Sequence, residues 1–143
     1  MSSLELRGVH THIDAYHILH GVDLSVPAGA ITVLLGRNGA GKTTTLRTVM
    51  GLWRASAGSI TFAGQRIDGR HTADIARAGI AYVPESMAIF GDLTVRDNLM
   101  LAARNARREA DLDAARLTRI FDFFPALRKF WLYPAGKLSG GQK

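Results

Sequence analysis

The feature that most constrains this chain is a glycine-rich octapeptide, Gly36-Arg37-Asn38-Gly39-Ala40-Gly41-Lys42-Thr43, which matches the phosphate-loop pattern G-x-x-x-x-G-K-[ST]. Glycines let such a loop turn tightly, so that its backbone N–H groups point at phosphate oxygens, and the helix that follows adds its positive N-terminal end. Lys42 is predicted to contact the β- and γ-phosphates, the Thr43 hydroxyl to ligate Mg²⁺, and Thr44 to lie beside them. Because the pattern needs a strand before it and a helix after it, it indicates an α/β fold.

The residues around the loop fit that requirement. Residues 31–35 (Ile-Thr-Val-Leu-Leu) form a nearly continuous apolar run, as expected of a parallel strand covered on both faces. Residues 80–83 (Ile-Ala-Tyr-Val) predict a second strand of this kind. A helix is predicted from Lys42 to a terminator at Gly51. The apolar face of that helix is predicted to consist of Leu46, Val49, Met50 and Trp53.

Other local patterns predict the remaining elements. Approximate alternation in residues 4–9 and 22–26 indicates half-buried antiparallel strands, and residues 59–62 indicate a short strand before a turn. A short helix is predicted over residues 72–78. Thr94 and Asp97 have the spacing of a capping box and predict a helix to about residue 104. A further helix, with one apolar face up to residue 124, is predicted to end at Pro125.

Bulk properties limit the functional classes only loosely. The formal net charge of +6 fits a nucleic acid, an anionic membrane surface or an anionic ligand such as a nucleotide. The densest basic cluster, Arg104, Arg107 and Arg108, is predicted to be a solvated helix face rather than a binding surface. The chain has no cysteine, no signal-peptide start and no apolar run near the roughly 20 residues that span a bilayer. We therefore expect a soluble protein whose membrane role, if any, requires a partner.

A second short loop lies near the end of the chain, at Leu138-Ser139-Gly140-Gly141-Gln142. Alone, this string could be a flexible linker. Downstream of a phosphate loop, however, it resembles the signature motif of ABC transporter ATPases. The resemblance covers the whole chain and implies an α/β P-loop NTPase fold with an N-terminal antiparallel β subdomain, a partial helical subdomain and an incomplete core sheet. It also implies one partial nucleotide-binding domain, with residues 1–93 as β subdomain and core, 94–136 as helical subdomain and 137–143 as signature.

The resemblance further implies that ATP and Mg²⁺ are the cofactors. In this family the signature motif caps a nucleotide bound to the phosphate loop of a second subunit, in a head-to-tail dimer. Leu138, Ser139, Gly140, Gly141 and Gln142 are therefore expected to act on the partner's nucleotide. The Ser139 hydroxyl and the glycine amides are the expected donors to γ-phosphate oxygens.

Glu85 occupies the position where the family usually has a glutamine that contacts Mg²⁺ and the attacking water. The resemblance therefore implies that Glu85 is a catalytic residue together with Lys42 and an Mg²⁺ ligand together with Thr43. The glutamate at this position, together with Phe90 and Leu93-Thr94-Val95, resembles branched-chain amino acid importers. The resemblance implies a peripheral protein at the cytoplasmic face of the membrane that works with transmembrane permease subunits and, indirectly, a solute-binding protein, and not with nucleic acid. Met87, Ile89 and Phe90 are expected either to contact the permease or to pack in the core.

The residue that stacks on adenine is less well defined. The family places an aromatic residue between its first two strands, and here that register falls on Ile13, with His12 and Tyr16 nearby. Tyr16 is the expected adenine contact, and the alternative is that it packs structurally or lies on the surface. The close histidine pairs, His10 with His12 and His17 with His20, have no cysteine or carboxylate cluster beside them, so a metal site is not predicted there.

The family also uses an apolar strand ending in Asp-Glu for hydrolysis, and a histidine beyond the signature. The sequence has no Asp-Glu dipeptide, and its last histidine is His71. We therefore expect the 143-residue chain alone to be marginally stable, aggregation-prone and without ATP turnover, although its family hydrolyses ATP. Two alternatives stay open: a fragment that binds nucleotide without turnover, and a soluble ABC protein that acts on nucleic acid.

Overall fold

The computed structural model of the chain describes residues 2–86, 88–104 and 114–142. The chain divides into two compact units, Met1–Ile80 and Ala81–Lys143. The expected subdomain boundaries at residues 93 and 136 stay predictions. None of the described helices is both long enough and apolar enough to cross a bilayer.

The first unit contains a four-stranded antiparallel sheet. Its strands are β1 (Ser2–Ile13), β2 (Tyr16–Pro27), β3 (Ala55–Phe62) and β4 (Gln65–Arg66), in the order β2-β1-β3-β4. The turn that joins β1 to β2 places Asp14 at a positive φ of 52°, a conformation that aspartate tolerates better than most residues. The predicted antiparallel strands are confirmed, and β1 and β2 form one long hairpin.

Two helices belong to this unit, α1 (Lys42–Val49) and α2 (Thr72–Ala78). The side chain of Thr11 in β1 is fully buried, and its hydroxyl lies 3.1 Å from that of Thr48 in α1. The core of the unit also includes the buried side chains of Leu6, Val9, Leu19, Ile60, Ile67 and Ile75. The sheet therefore buries one face beneath α1.

The predicted apolar face of α1 is wrong in part. Val49 and Met50 are buried, but Leu46 is 48% exposed, and Thr45 and Thr48 are buried in its place. A buried hydroxyl is tolerated where it has a hydrogen-bond partner. The Thr45 hydroxyl donates to a carbonyl one turn earlier at 2.9 Å, and that of Thr48 pairs with β1.

The two predicted parallel strands at residues 31–35 and 80–83 do not form in the described structure. Ile31, Leu35 and Val83 are 96%, 84% and 86% exposed. A strand is stable only when neighbouring strands satisfy its backbone N–H and C=O groups. The described strands pair only among themselves, so both apolar runs lack a ladder partner within the part of the chain that the structure describes.

The second unit is helical. Its helices are α3 (Val95–Arg104), α4 (Ala114–Phe123) and α5 (Pro125–Lys129), followed by 3₁₀ turns at Ala135–Lys137 and Gly140–Gln142. The predicted capping box at the start of α3 is confirmed. The Thr94 hydroxyl donates to the Asp97 carboxylate at 2.6 Å and accepts the Asp97 N–H at 3.1 Å. Val95, Ala135 and Leu138 form the buried centre of this unit.

Candidate functional site

The glycine-rich loop at residues 36–41 is a tight turn closed by an N–H of Ala40 that donates to the Arg37 carbonyl at 3.1 Å. Gly39 and Gly41 have φ values of 85° and 84°, which strain any residue with a Cβ. A Cβ on Gly41 would also lie 2.9 Å from the side chain of Leu19 in β2. The sequence therefore needs glycine at both positions to fold this loop against the sheet.

The start of α1 is open to an anion. Gly41 is its N-cap, and within the described residues no side chain caps it and no acidic residue stands in its first turn. The first intrahelical bond is the N–H of Thr45 to the Gly41 carbonyl at 2.8 Å. The earlier N–H groups of a helix have no intrahelical acceptor, and the helix dipole makes this end positive. This arrangement fits a phosphate group.

The Lys42 side chain folds back over the loop. Its ammonium group donates to the carbonyl oxygens of Gly36 and Arg37, both at 2.7 Å. Both bonds are exposed to solvent, and Thr43 next to Lys42 is exposed as well. The ammonium can therefore exchange a carbonyl for a phosphate oxygen without unfolding the helix, and the Thr43 hydroxyl is accessible to a hydrated cation.

The pairing of β1 with β2 distinguishes the candidates for the adenine contact. Ile13 pairs with Tyr16, His12 with His17, and Thr11 with Leu19. Successive residues of a strand point to opposite faces, so Ile13 and Tyr16 lie on the face that Thr11 presents to α1, whereas His12 lies on the other face. The side chain of Tyr16 is 73% exposed. Of Ile13, His12 and Tyr16, Tyr16 is thus the exposed aromatic ring on the helix side of the sheet.

Glu85 lies in an exposed turn after Pro84, in the second unit. Of the three apolar residues that follow, Met87 is outside the described residues. Ile89 packs against the buried centre of the unit, whereas Phe90 is 61% exposed. The two alternatives stated for this group, core packing and an exposed contact surface, are thus divided between Ile89 and Phe90.

Asn98, which the sequence did not single out, fixes the loop after Phe90. Its Oδ1 accepts the Phe90 N–H at 2.9 Å, and its Nδ2 donates to the carbonyls of Phe90 and Thr94 at 3.0 Å each and of Leu93 at 3.4 Å. An asparagine one turn into a helix can hold the preceding loop in this way. The only sequence signal for it was its place four residues after the capping Thr94.

The signature segment is anchored at its first residue. The Leu138 side chain is 8% exposed and belongs to the buried centre of the second unit, whereas Ser139, Gly140 and Gly141 are exposed. Just before it, Ala135 and Gly136 donate their N–H groups to the carbonyls of residues 93 and 91 at 2.8 and 2.9 Å. These contacts present the serine and the two glycines at the surface, which is the arrangement a phosphate contact requires.

Comparison with known proteins identifies the group to which these two loops belong. The family model described as ABC transporter matches residues 19–143. A probable branched-chain amino acid transport ATP-binding protein, LivF of Archaeoglobus fulgidus, is 37% identical over 127 residues, which is 89% of this chain and 53% of the relative. BraG of Pseudomonas aeruginosa, a high-affinity protein of the same description, is 35% identical over 140 residues, 98% of this chain and 59% of the relative.

A third relative has a different described solute. The sulfate/thiosulfate import ATP-binding protein CysA of Bordetella pertussis is 35% identical over 145 residues, 99% of this chain and 40% of the relative. A solved structure of the ATP-binding subunit of an ABC transporter superposes with a TM-score of 0.83 at 28% identity, over 98% of this chain and 57% of that one. The chain thus spans little more than half the length of these two branched-chain relatives and of this structure. The predicted α/β P-loop fold is confirmed, and the chain belongs to the ABC transporter family, of whose ATP-binding domain it forms a part.

Proposed function

We propose that this chain binds Mg-ATP as part of the ATPase subunit of an ABC importer and couples ATP hydrolysis to solute uptake through separate membrane subunits. The observation that supports this most directly is the glycine loop at residues 36–41. It leads into a helix start that no described side chain caps, and the Lys42 ammonium folds back over the loop. That combination suits a triphosphate, since it offers N–H donors, a helix dipole and a movable cation in one place.

The proposed contacts combine the described glycine loop with the roles that the family resemblance implies for Tyr16 and Glu85. The amides of residues 36–44 hold the phosphates, Lys42 supplies the charge, and Thr43 ligates Mg²⁺. When bound, Mg²⁺ would neutralise charge on the β- and γ-phosphates. Tyr16 stacks on adenine from the helix side of the hairpin. Glu85, at the position of the family's glutamine, responds to the γ-phosphate side through Mg²⁺.

The proposed partners are a second ATPase subunit and a permease. The exposed Ser139, Gly140 and Gly141 would contact a nucleotide held by the second subunit in a head-to-tail dimer, while the buried Leu138 keeps them in place. Phe90, which is 61% exposed, would be the apolar contact for the permease. The location that we propose is the cytoplasmic face of the membrane, with the solute-binding protein on the far side. No role with nucleic acid is proposed, and tight DNA or RNA binding that falls steeply as the salt concentration rises would contradict this.

Branched-chain amino acids are the proposed solutes because LivF and BraG carry that description, whereas CysA, at similar identity, is described for sulfate. The solute is tested by co-expressing the gene's whole product with candidate permease subunits from the same genome and measuring uptake of labelled leucine and labelled sulfate. Uptake of leucine that requires Lys42 supports the proposal. Uptake of sulfate alone would mean that the solute is an inorganic anion rather than an amino acid, and it would leave the proposed ATPase function unchanged.

Nucleotide binding by the 143 residues is tested with a fluorescent ATP analogue in the presence of Mg²⁺. Replacing Lys42 by alanine removes a charge-assisted contact of about 1.5–3 kcal/mol, so we expect the affinity to fall by about 10- to 150-fold. Lys129→Ala is the matched control, because Lys129 lies in α5 over the ring of Phe130 and away from the glycine loop in sequence. Equal affinities for the two variants would contradict the proposed site.

Turnover separates the enzyme from the binding-only alternative. Because the sequence has no Asp-Glu pair, we propose that the 143 residues bind ATP without hydrolysing it. Phosphate release by these 143 residues that disappears in Lys42→Ala would contradict this. Release seen only with a longer product of the same gene would support the family's activity for the whole protein.

A further inference from the structure

Four histidines that no proposed role uses come together on the β1–β2 hairpin. This histidine cluster consists of His10, His12, His17 and His20. The His17 ring lies at its centre, with ring centroids 3.9 Å from His20, 4.1 Å from His12 and 5.1 Å from His10. The pairs His10–His20 and His12–His17 are directly opposite across the hairpin, so these contacts join the two strands.

One hydrogen bond in the cluster depends on its protonation state. His10 Nδ1 and His17 Nε2 are 3.0 Å apart, so one of these nitrogens donates an N–H and the other accepts. A doubly protonated imidazolium has no acceptor nitrogen. The bond is therefore lost if both rings are charged, and stacked rings at these distances then repel each other.

Among the residues that the structure describes, no carboxylate forms an ion pair with these four histidines. On β1, Glu5 is paired with Arg7 at 2.9 Å, and on β2 the Asp23 carboxylate accepts the N–H of Gly8 at 2.7 Å. Strand β3 has no charged residue, and its Ser56 hydroxyl lies 3.0 Å from His12 Nδ1. The turn between the strands contains Asp14, which is exposed. In the described residues the cluster also has no arrangement that would hold a metal ion.

We propose that the histidine cluster is a proton-sensitive latch, which holds the β1–β2 hairpin together when its imidazoles are neutral and releases it when they become charged. Desolvation first, and then the neighbouring His20 and His12, lower the pKa of His17 from its ordinary value of 6.5. A group with a lowered basic pKa binds fewer protons in the folded state than in the unfolded state. The latch therefore stabilises the hairpin fully above that ordinary value, and this contribution is lost as the pH falls below it.

The latch is tested by hydrogen–deuterium exchange of the full 143-residue chain at about pH 7.5 and about pH 5.5, corrected for the intrinsic pH dependence of exchange. We expect protection of β1 and β2 to fall at the lower pH by about threefold or more. The His17→Gln variant should lose most of that pH dependence. His71→Gln is the control, because His71 precedes α2 outside the cluster, and it should keep the wild-type response.

If His17→Gln does not fold, His20→Gln is the second variant, and we expect the protection of its hairpin to depend less on pH than that of the unaltered chain. An NMR titration of the imidazoles in the unaltered chain gives an independent measurement, in which His17 should titrate below its ordinary pKa. Unchanged hairpin protection at about pH 5.5 would overturn the proposal. So would a His17→Gln or His20→Gln variant that responds to pH as the wild type does.

Discussion

Asn98 offers the sharpest test of how the second unit is held together, because its side chain lies within hydrogen-bonding distance of four backbone groups around the start of α3. Two replacements separate the parts of that interaction. Asn98→Ala removes all of these contacts. Asn98→Asp keeps the shape and the acceptor for the Phe90 N–H, but it turns the donating amide into an oxygen that faces three carbonyl oxygens.

The expected magnitudes follow from these contacts. The loop is partly exposed, so water replaces much of what Asn98→Ala removes, and we expect a loss of about 1–2 kcal/mol in the free energy of unfolding. Asn98→Asp loses the donors and adds repulsion between the carboxylate and carbonyls as close as 3.0 Å. We therefore expect it to cost more, about 2–4 kcal/mol at neutral pH.

In acid, we expect Asn98→Asp to become more stable than Asn98→Ala. The facing carbonyls disfavour the charged form, so the pKa of the new carboxyl is raised in the folded state, and the folded state binds the proton more tightly than the unfolded state. The extra deficit of Asn98→Asp is therefore absent below the ordinary aspartate pKa of about 3.9 and appears as the pH rises. A protonated carboxyl can also donate to one of the carbonyls.

Urea unfolding followed by tryptophan fluorescence measures these differences. The chain has two tryptophans, so a Trp53→Phe background leaves Trp131 as the reporter for the second unit. Comparing Asn98→Asp with Asn98→Ala at each pH cancels pH effects that both variants share. The reasoning is refuted if Asn98→Asp is as stable as the unaltered chain at neutral pH, or if its difference from Asn98→Ala does not change with pH.

Three further predictions concern the first unit and are checked by far-UV circular dichroism of thermal unfolding. Either Thr11→Val or Thr48→Val alone leaves a buried hydroxyl without its partner and should lower the free energy of unfolding by about 1–3 kcal/mol. The double variant should lose less than the sum of the two single losses. Gly58→Ala should lower the free energy of unfolding by more than about 2 kcal/mol, because the φ of Gly58 is 88° and a Cβ there would collide with two carbonyl oxygens of β1. Gly64→Ala should lower it by only about 1 kcal/mol, because the φ of Gly64 is 78° but nothing lies within 4 Å of its Cβ position. Burial raises the pKa of Asp68, but hydrogen bonds from the neighbouring arginine guanidinium and from a backbone N–H outweigh burial and set this pKa below its ordinary value. Asp68 therefore stabilises the fold at pH values above its ordinary pKa, and this contribution is lost as the pH falls. Asp68→Asn should remove that part of the acid sensitivity.

Elements defined by nearby residues were predictable from the sequence. The helix at residues 72–78 and the start of α3 at its capping box were both found where local signals placed them. The glycine loop was predictable because its geometry depends on a few adjacent residues with special φ values. Family membership followed from the same short motifs, since two loops with a fixed order are specific even when each alone is not.

Features that depend on distant partners were not predictable. The apolar run at residues 31–35 has the composition of a buried strand. Composition alone does not show whether neighbouring strands are there to pair with it, and in the described structure the run is exposed. The histidine cluster needs the register of the hairpin, which shifts between Thr11 and His12 and so brings His17 and His20 to the same face. The role of Asn98 depends on backbone atoms of a loop, which side-chain patterns do not reveal.

The exposed run at residues 31–35 has a consequence for the affinity of the loop that follows it. After the loop, α1 is fixed to the sheet through Thr48. Residues 31–35, which lead into the loop, pair with no strand among the described residues. Ordering the backbone costs about 1–2 kcal/mol per residue, and a ligand that must order its own site binds more weakly by that amount. Strands that paired with residues 31–35 would therefore tighten ATP binding by preorganisation alone, without contributing one contact to the nucleotide.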